Sequence, residues 1–477
     1  MELDLSGLDL AVLPPELAQL TGLRKLNLSQ NRLAELPPWF GNFTRLEELQ
    51  LGVNQLSALP PEFGLLASLR MLDLGGNLLA TVPPEFGELG NLRQLILASN
   101  WLSELPASFG GLGSLEELIL QNNRLTGVPA EFGRLAALRT LWLHNNPLGE
   151  LPAPLAELAN IEDLSAPGIG VSVLPAWLGR LTSLRILALH DNRLTEVPPE
   201  LGGLANLEEL DLSNNVLSTV PPEFGDLANL QRLGLSGNQL NSLPDDFGRL
   251  TNLRQLDLAS NQLGELPRSI GRLTNLEQLL LQNNLLTVVP AEFGELTKVQ
   301  TLWLYSNQLT ALPPEFGRLV SLQGLDLLAN QLTHLPPEFG NLASLQGLDV
   351  SLNQLSELPP EFGGLTNLQQ LDLSGNQLTA LPPAFGHVTD LRRLYLASNQ
   401  LSALTPEFGQ LVNLQELDLS ENLLTTLPPE FGQLTQLQQL ELAGNPLEEP
   451  LPDLVAAGIP ALLAHLQSLA APPDAIT

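Results

Sequence analysis

The 477-residue sequence contains no cysteine and has few basic residues. Without cysteine it can form no disulfide, no thiolate metal site and no cysteine nucleophile. Only 21 Lys and Arg residues stand against 52 Asp and Glu residues, which gives a net charge of −31. A surface this acidic repels phosphate, so the sequence predicts no binding to nucleic acid or to an anionic membrane surface.

Long apolar runs are absent as well. No stretch approaches the roughly 18 consecutive apolar residues that a membrane-spanning helix needs. The first ten residues, MELDLSGLDL, lack the basic-then-apolar order of a signal peptide. The sequence therefore predicts a soluble, cytoplasmic, acidic protein.

What the sequence does contain is one repeat, copied about twenty times. Asparagine recurs every 23 residues from Asn31 to Asn445, interrupted only by Ile169, and one further period fits before Asn31. In each repeat an alternating leucine pair, such as Leu371 and Leu373, predicts a short strand with one buried face. The asparagine side chain can satisfy backbone groups where the chain leaves that strand. The fixed period predicts stacked coils, each dependent on its neighbours.

A proline-rich segment follows each strand and often reads Leu-Pro-Pro-Glu-Phe-Gly, as at 358–363. Proline donates no hydrogen bond to a sheet and disfavours helix in the residue before it, so the chain should turn into an extended or short helical segment. Fourteen of the fifteen phenylalanines precede the glycine of this segment. That regularity predicts a buried phenylalanine column.

The pattern L-x-x-L-x-L-x-x-N-x-L resembles the leucine-rich repeat signature, and its 23-residue LPPEFG form resembles the subclass of bacterial Roco proteins and Ras-pathway scaffolds. The resemblance implies an α/β solenoid, a leucine-rich-repeat horseshoe with a parallel β-sheet on the concave face and proline-rich or short helical segments on the convex face. It covers residues 1–447 as one continuous array. Helical leucine spacing predicts a C-terminal capping segment with a short helix at 448–470, and 471–477 is expected to be a flexible tail.

One stretch, 147–175, departs from the repeat. Pro167 removes a backbone donor, Ala166 fills less core volume than leucine, and Ile169 interrupts the asparagine series. We interpret it as a scar where an older array terminus was fused, with a hinge as the alternative. Because a donor, an asparagine and core volume are missing, the scar predicts weaker strand pairing at 161–171.

The exposed strand positions differ between repeats, and function should be sought there. Large apolar groups exposed on a sheet mark contact surfaces, and tryptophan and tyrosine dominate interface hot spots. The predicted partner-binding residues form two clusters with one further tyrosine: Ile96, Ile119, Gln121, Trp142 and His144; Leu280, Gln282, Trp303, Tyr305 and Leu328; and Tyr395. Residues 115–143 and 276–304 are close copies separated by seven repeats, so one or both clusters could instead be inherited scaffold.

The sequence predicts no enzyme, no cofactor and no metal site. Glycine precedes neither lysine, which excludes a nucleotide-binding loop of the usual kind. His144 and His190 lie two strands apart, too far for a compact zinc site. Asp326, Asp349 and Asp372 repeat in equivalent surroundings, whereas an acid and a nucleophile need different ones. They are interpreted as a plain acidic face, with loose cation binding as the alternative.

These observations favour a non-catalytic scaffold or adaptor for signal transduction, which recognises a partner protein on the concave face. The net charge predicts a partner with a basic surface, and a monomer is the default. One alternative is the recognition portion of a larger Roco-like signalling or effector protein. Another is carbohydrate binding on the acidic and aromatic wall.

Overall fold

The computed structural model describes residues 1–470. The chain forms two compact units, Met1–Asn238 and Gln239–Thr477. The seven residues at 471–477, for which the sequence predicts a flexible tail, lie outside the described part.

The first unit alternates eleven three-residue strands with ten five-residue 3-10 helices. The strands are β1 Glu2–Asp4, β2 Lys25–Asn27, β3 Glu48–Gln50, β4 Met71–Asp73, β5 Gln94–Ile96, β6 Glu117–Ile119, β7 Thr140–Trp142, β8 Asp163–Ser165, β9 Ile186–Ala188, β10 Glu209–Asp211 and β11 Arg232–Gly234. The 3-10 helices are η1 Pro15–Gln19, η2 Pro38–Asn42, η3 Pro61–Leu65, η4 Pro84–Glu88, η5 Ala107–Gly111, η6 Ala130–Arg134, η7 Ala153–Glu157, η8 Ala176–Arg180, η9 Pro199–Gly203 and η10 Pro222–Asp226.

The second unit repeats this order and ends in two α-helices. The strands are β12 Gln255–Asp257, β13 Gln278–Leu280, β14 Thr301–Trp303, β15 Gly324–Asp326, β16 Gly347–Asp349, β17 Gln370–Asp372, β18 Arg393–Tyr395, β19 Glu416–Asp418 and β20 Gln439–Glu441. The helices are η11 Asp245–Arg249, η12 Arg268–Arg272, η13 Ala291–Glu295, η14 Pro314–Arg318, η15 Pro337–Asn341, η16 Pro360–Gly364, η17 Pro383–His387, η18 Pro406–Gln410, η19 Pro429–Gln433, α1 Leu451–Ala457 and α2 Ile459–Ala470.

In each unit consecutive strands pair in parallel with a constant offset of 23 residues, as where Leu302 pairs with Leu325. The leucines that alternate along the strands point into the core and are almost fully buried. The residues between them form the opposite side, here called the exposed sheet face. The predicted solenoid of strands and short helical segments is confirmed in both units.

The phenylalanine column is confirmed and explains why each unit curves. Neighbouring rings stack 6.1–6.3 Å apart from Phe40 to Phe132 in the first unit. In the second unit they stack 5.8–6.5 Å apart from Phe316 to Phe431. Strands of a sheet are only ~4.8 Å apart. Because the helical layer is longer than the sheet layer, the sheet lies on the inner side of the curve in each unit.

The repeated asparagines join successive coils through their side chains. In Asn330, Oδ1 accepts the backbone N–H of Leu309, and Nδ2 donates to the carbonyl oxygens of Leu304 and Leu327, all at 3.0 Å. Leucine could make none of these bonds. The predicted ladder role of asparagine is therefore confirmed, since the same pattern recurs along both units.

The glycine that follows each phenylalanine allows neighbouring 3-10 helices to approach closely. A Cβ added to Gly317 would overlap the backbone oxygen of Glu338 in the next coil. Ala18 and Ala156 take the place of this glycine in η1 and η7, and there the next helix, η2 or η8, packs less closely. The glycine is a packing requirement of the outer layer.

The irregular stretch, for which the sequence predicts weaker strand pairing at 161–171, still contains a paired strand. Strand β8 pairs in register with both β7 and β9. Although Ile169 replaces asparagine, Oδ1 of Asn192 accepts the three backbone N–H groups of residues 169–171 at distances of 2.9–3.2 Å. The bond to residue 171 is the usual ladder bond of Asn192, and the bonds to residues 169 and 170 are additional. The N–H of Leu148, which an asparagine at 169 would accept, donates instead to the Asn146 carbonyl oxygen at 2.9 Å.

The C-terminal helices lie beside the last coil. Helix α2 includes the residues for which leucine spacing predicts a helix, and it packs against η19. Its Gln467 side chain donates a 2.7 Å hydrogen bond to the backbone oxygen of Gly432. Helix α1, which the sequence does not predict, precedes it.

Candidate functional site

Two tryptophans stand on the exposed sheet face, as their strand positions predict. Trp142 is 37% exposed and Trp303 is 38% exposed. The leucines on either side of each of them, at 141, 143, 302 and 304, are fully buried. A strand side chain between two buried ones must point the other way. The predicted orientation of both tryptophans is therefore confirmed.

The first aromatic patch comprises Ile96, Ile119, Gln121, Trp142 and His144, all in the first unit. Ile96, Ile119 and Trp142 occupy equivalent positions on three successive strands, and the rings of Trp142 and His144 lie 6.3 Å apart. Ile119 departs from the expectation of an exposed contact, because it is only 5% exposed between its two large neighbours. The structure thus brings the five residues together, but Ile119 is buried beneath its neighbours.

Polar atoms in the first aromatic patch are partly satisfied within it. The indole N–H of Trp142 donates to Oδ2 of Asp163 on the next strand at 3.2 Å. Burial lowers the pKa of His144, and the nearby His190 lowers it further, so both favour the neutral imidazole. Nδ1 of His144 and Oε1 of Gln121 are buried and have no hydrogen-bond partner in the described part of the chain.

The second aromatic patch comprises Leu280, Gln282, Trp303, Tyr305 and Leu328, all in the second unit. Leu280 and Trp303 are paired neighbours on β13 and β14, and the rings of Trp303 and Tyr305 lie 6.4 Å apart. Gln282 is only 8% exposed, and its Oε1 has no hydrogen-bond partner among residues 1–470. The pair of rings repeats the geometry of the first aromatic patch, as expected from the close sequence copy.

Tyr395 lies apart from the second aromatic patch. It stands on β18, where its paired neighbours are Asp372 and Asp418. Its hydroxyl donates a 2.9 Å hydrogen bond to Oε2 of Glu416. Burial raises the pKa of Tyr395, and Glu416 raises it further. Tyr395 is therefore a separate point on the exposed sheet face.

Beside Trp303 the sheet changes from aromatic to acidic. Trp303 pairs with Asp326 on β15, and Asp326 pairs with Asp349 on β16. Oδ1 of each aspartate accepts the backbone N–H two residues later, at 3.0 Å for Asp326 and 2.8 Å for Asp349. The aspartates thus support the turn after the strand, a structural role that sequence reasoning missed although its signal is the recurring aspartate itself.

Burial raises the pKa of Asp326 to about 6, and the charge of Asp349 adds to the rise. The hydrogen bond from the Leu328 N–H acts in the opposite direction and lowers the pKa. Burial also raises the pKa of Asp372. These carboxylates have no ion pair with Lys or Arg in the described structure. A partly buried carboxylate without a counter-charge is costly. Asp326 and Asp372 therefore lack a basic partner that would offset the cost of their burial.

Within residues 1–470 no group of three or more His, Asp or Glu side chains has the arrangement to hold a metal ion. The described helices also include none with the length and apolar character to cross a membrane.

Comparison with known proteins identifies the family. The family model described as "Leucine rich repeat" matches residues 21–79, 44–102, 90–148, 182–240, 321–378 and 389–447. The models "Leucine-rich repeat region" and "Leucine Rich repeats (2 copies)" match residues 222–311 and 366–411. The chain belongs to the leucine-rich repeat proteins. No curated protein matches the sequence significantly.

Several solved leucine-rich repeat structures resemble this one. A leucine-rich repeat protein of Leptospira interrogans is 32% identical with a TM-score of 0.56, and the match covers 96% of this chain and 94% of that one. The plant peptide hormone receptor RGFR1 in complex with RGF2 is 32% identical with a TM-score of 0.74, over 93% and 78% of the two chains. The Arabidopsis receptor kinase HAESA, in complex with the peptide hormone IDA and the co-receptor SERK1, is 32% identical with a TM-score of 0.66, over 93% and 74%.

Proposed function

We propose that this leucine-rich repeat protein is a non-catalytic scaffold or adaptor that recognises a partner protein on its exposed sheet face. The observation that carries the proposal is the exposure of Trp142 and Trp303 between fully buried leucines. Exposed tryptophan contributes little to a solenoid core, whereas in an interface it is among the residues with the largest effect on affinity. The similar receptors RGFR1 and HAESA, solved with peptide hormones, support a peptide or protein ligand.

We further propose that the partner presents a basic surface to the protein. The net charge of −31 favours encounters with cationic surfaces and opposes nucleic acid and anionic membranes. A cytoplasmic setting in signal transduction, with the Roco-like subclass and a monomeric state, belongs to the same proposal. The subclass and the setting rest on the 23-residue LPPEFG repeat and on the absence of cysteine, and the monomer is the default.

The test compares capture of proteins from the source cell by the wild type and by Trp142→Ala, Trp303→Ala and the double variant. Trp101→Ala is the matched control, because Trp101 is 48% exposed but lies after the ladder residue Asn100, away from the exposed sheet face. A genuine partner should lose ~30-fold or more in affinity with Trp142→Ala, Trp303→Ala or both, as hot-spot aromatics do.

The same partner should bind the Trp101→Ala variant normally. Circular dichroism should show all variants folded, because the leucine core is unchanged. If every captured protein binds the double variant as tightly as the wild type, the exposed sheet face is not the recognition surface.

A further inference from the structure

The two aromatic patches arose from similar sequence, yet their neighbourhoods differ. In the first unit Trp142 is followed across the sheet by Ser165 and then Ala188. In the second unit the equivalent positions next to Trp303 hold Asp326 and Asp349. Only the second aromatic patch continues into a row of carboxylates.

The sheet beside Trp303 is also open. Gly324 and Gly347 precede the core leucines of β15 and β16, and a Cβ on either would meet no atom within 4 Å. Strands β14, β15 and β16 together span about 10 Å. Trp303, the two glycines and the two aspartates therefore border a shallow, unfilled area with an aromatic side and an acidic side.

Among residues 1–470, no lysine or arginine lies on the strands that border this area. The strand segments 277–282, 300–305, 323–328, 346–351 and 369–374, which form this part of the exposed sheet face, contain no Lys or Arg. The carboxyl group of Asp326, partly buried without a counter-charge, has its pKa raised to about 6. In the second aromatic patch, the buried Oε1 of Gln282 is a further acceptor without a partner among the described residues. Every unsatisfied group named here is an acceptor or an anion.

We propose that this area seats an arginine side chain of the partner protein, stacked on Trp303 and paired with the carboxylates of Asp326 and Asp349. This proposal rests on the proposed function and assigns the chemistry of one contact within it. A planar guanidinium both stacks on an aromatic face and forms paired hydrogen bonds with a carboxylate. The open space above the two glycines leaves room for the methylene chain of the arginine.

The first aromatic patch provides an internal comparison. Its Asp163 already accepts the indole N–H of Trp142, and a serine and an alanine take the places of Asp326 and Asp349. The proposal therefore assigns the arginine to the second aromatic patch alone.

The experiment uses the full chain labelled with 5-fluorotryptophan, whose five tryptophans give separate fluorine signals once each is assigned by a Trp→Phe variant. The probe is N-acetyl-arginine N-methylamide. Its neutral isostere, N-acetyl-citrulline N-methylamide, is the control ligand. The arginine probe should shift the Trp303 signal saturably and leave Trp142 unchanged, and citrulline should shift neither.

The double variant Asp326→Asn/Asp349→Asn should weaken the arginine response about tenfold or more, because charged hydrogen bonds are lost. Asparagine still accepts the backbone N–H that each aspartate holds, so the fold is preserved. Glu338→Gln on η15 makes a single charge change away from the sheet and should have no effect.

Equal responses to arginine and citrulline, equal responses of Trp303 and Trp142, or an unaltered response in the double variant would each overturn the proposal. An equal response to N-acetyl-lysine N-methylamide, with its side-chain amine free, would overturn the stacked guanidinium. If the arginine probe leaves Trp303 unchanged while Trp303→Ala abolishes partner capture, this contact is wrong and the proposed function stands. If the probe binds while capture survives loss of both tryptophans, the proposed function fails instead.

Discussion

Replacing one ladder asparagine tests how strongly the coils depend on one another. In Asn330→Ala the buried backbone N–H of Leu309 loses its acceptor, which costs about 1–3 kcal/mol. The carbonyl oxygens of Leu304 and Leu327 each lose one bond but keep a second asparagine partner, for about 0.5 kcal/mol each. The expected local destabilisation is therefore about 2–4 kcal/mol.

The assay is amide hydrogen exchange, because a repeat array does not unfold in a single two-state transition. Exchange at residues 304–309 should accelerate about 30-fold to 1000-fold in Asn330→Ala. The control is Asn367→Ala, since Asn367 is exposed and makes a single 2.7 Å hydrogen bond to the Ala343 carbonyl. It should change the local free energy by less than ~0.5 kcal/mol. Equal exchange in the two variants would refute the view that the ladder stabilises the stack.

Four further predictions follow from the packing and the charges. Gly317→Ala should destabilise its coils by about 1–3 kcal/mol in urea unfolding, because the new Cβ overlaps the backbone oxygen of Glu338; an unchanged midpoint would contradict this. The folded-state pKa of Asp326 is raised from 3.8 to about 6, so its ionisation destabilises the fold as pH rises through that window. Asp326→Asn should therefore stabilise the fold at pH 7 by ~1 kcal/mol, a value reduced to allow for partial exposure of the carboxyl group. The same variant should give no stabilisation at pH 3, where the carboxyl group is protonated in both states. Asn192→Ala should accelerate amide exchange at residues 169–171, whose three N–H groups share its oxygen; protection equal to the wild type would mean that other groups hold this stretch. The rate of association with the partner should fall as salt rises from low to physiological concentration, and a salt-independent rate would remove the case for a basic partner.

Most of the fold could be predicted from the sequence, because the same 23-residue coil recurs about twenty times in strict register. The inward leucines, the phenylalanine column and the asparagine ladder each repeat at 23 residues, and local pattern and tertiary packing agree in every coil. The outward orientation of Trp303 could be predicted for the same reason. It depends only on the two leucines beside it.

The candidate site could be predicted less completely, because exposure depends on neighbouring strands. Ile119 occupies the same alternating position as Trp142, yet large side chains on both adjacent strands cover it. Tyr395 lies four strands from Trp303, which the spacing of four repeats already indicates.

The hydrogen bonds between Asn192 and residues 169–171 could not be predicted from the sequence. Gly168 and Gly170 adopt positive φ angles of 66° and 83°, and the backbone there directs three N–H groups at Asn192. No repeat pattern specifies such a local backbone path.

The constant 23-residue offset between paired strands also sets the sequence separation of the residues that contact each other in the sheet. Parallel sheets usually join strands through long crossovers and form slowly, because distant segments must meet. Here the ladder bonds link residues only 3–26 positions apart. The relative contact order is about 0.05, the ratio of the 23-residue step to the chain length, which is below that of helical bundles. Although its strands pair in parallel, this protein should thus form each coil as soon as the preceding one is in place, with growth possible from any nucleated coil.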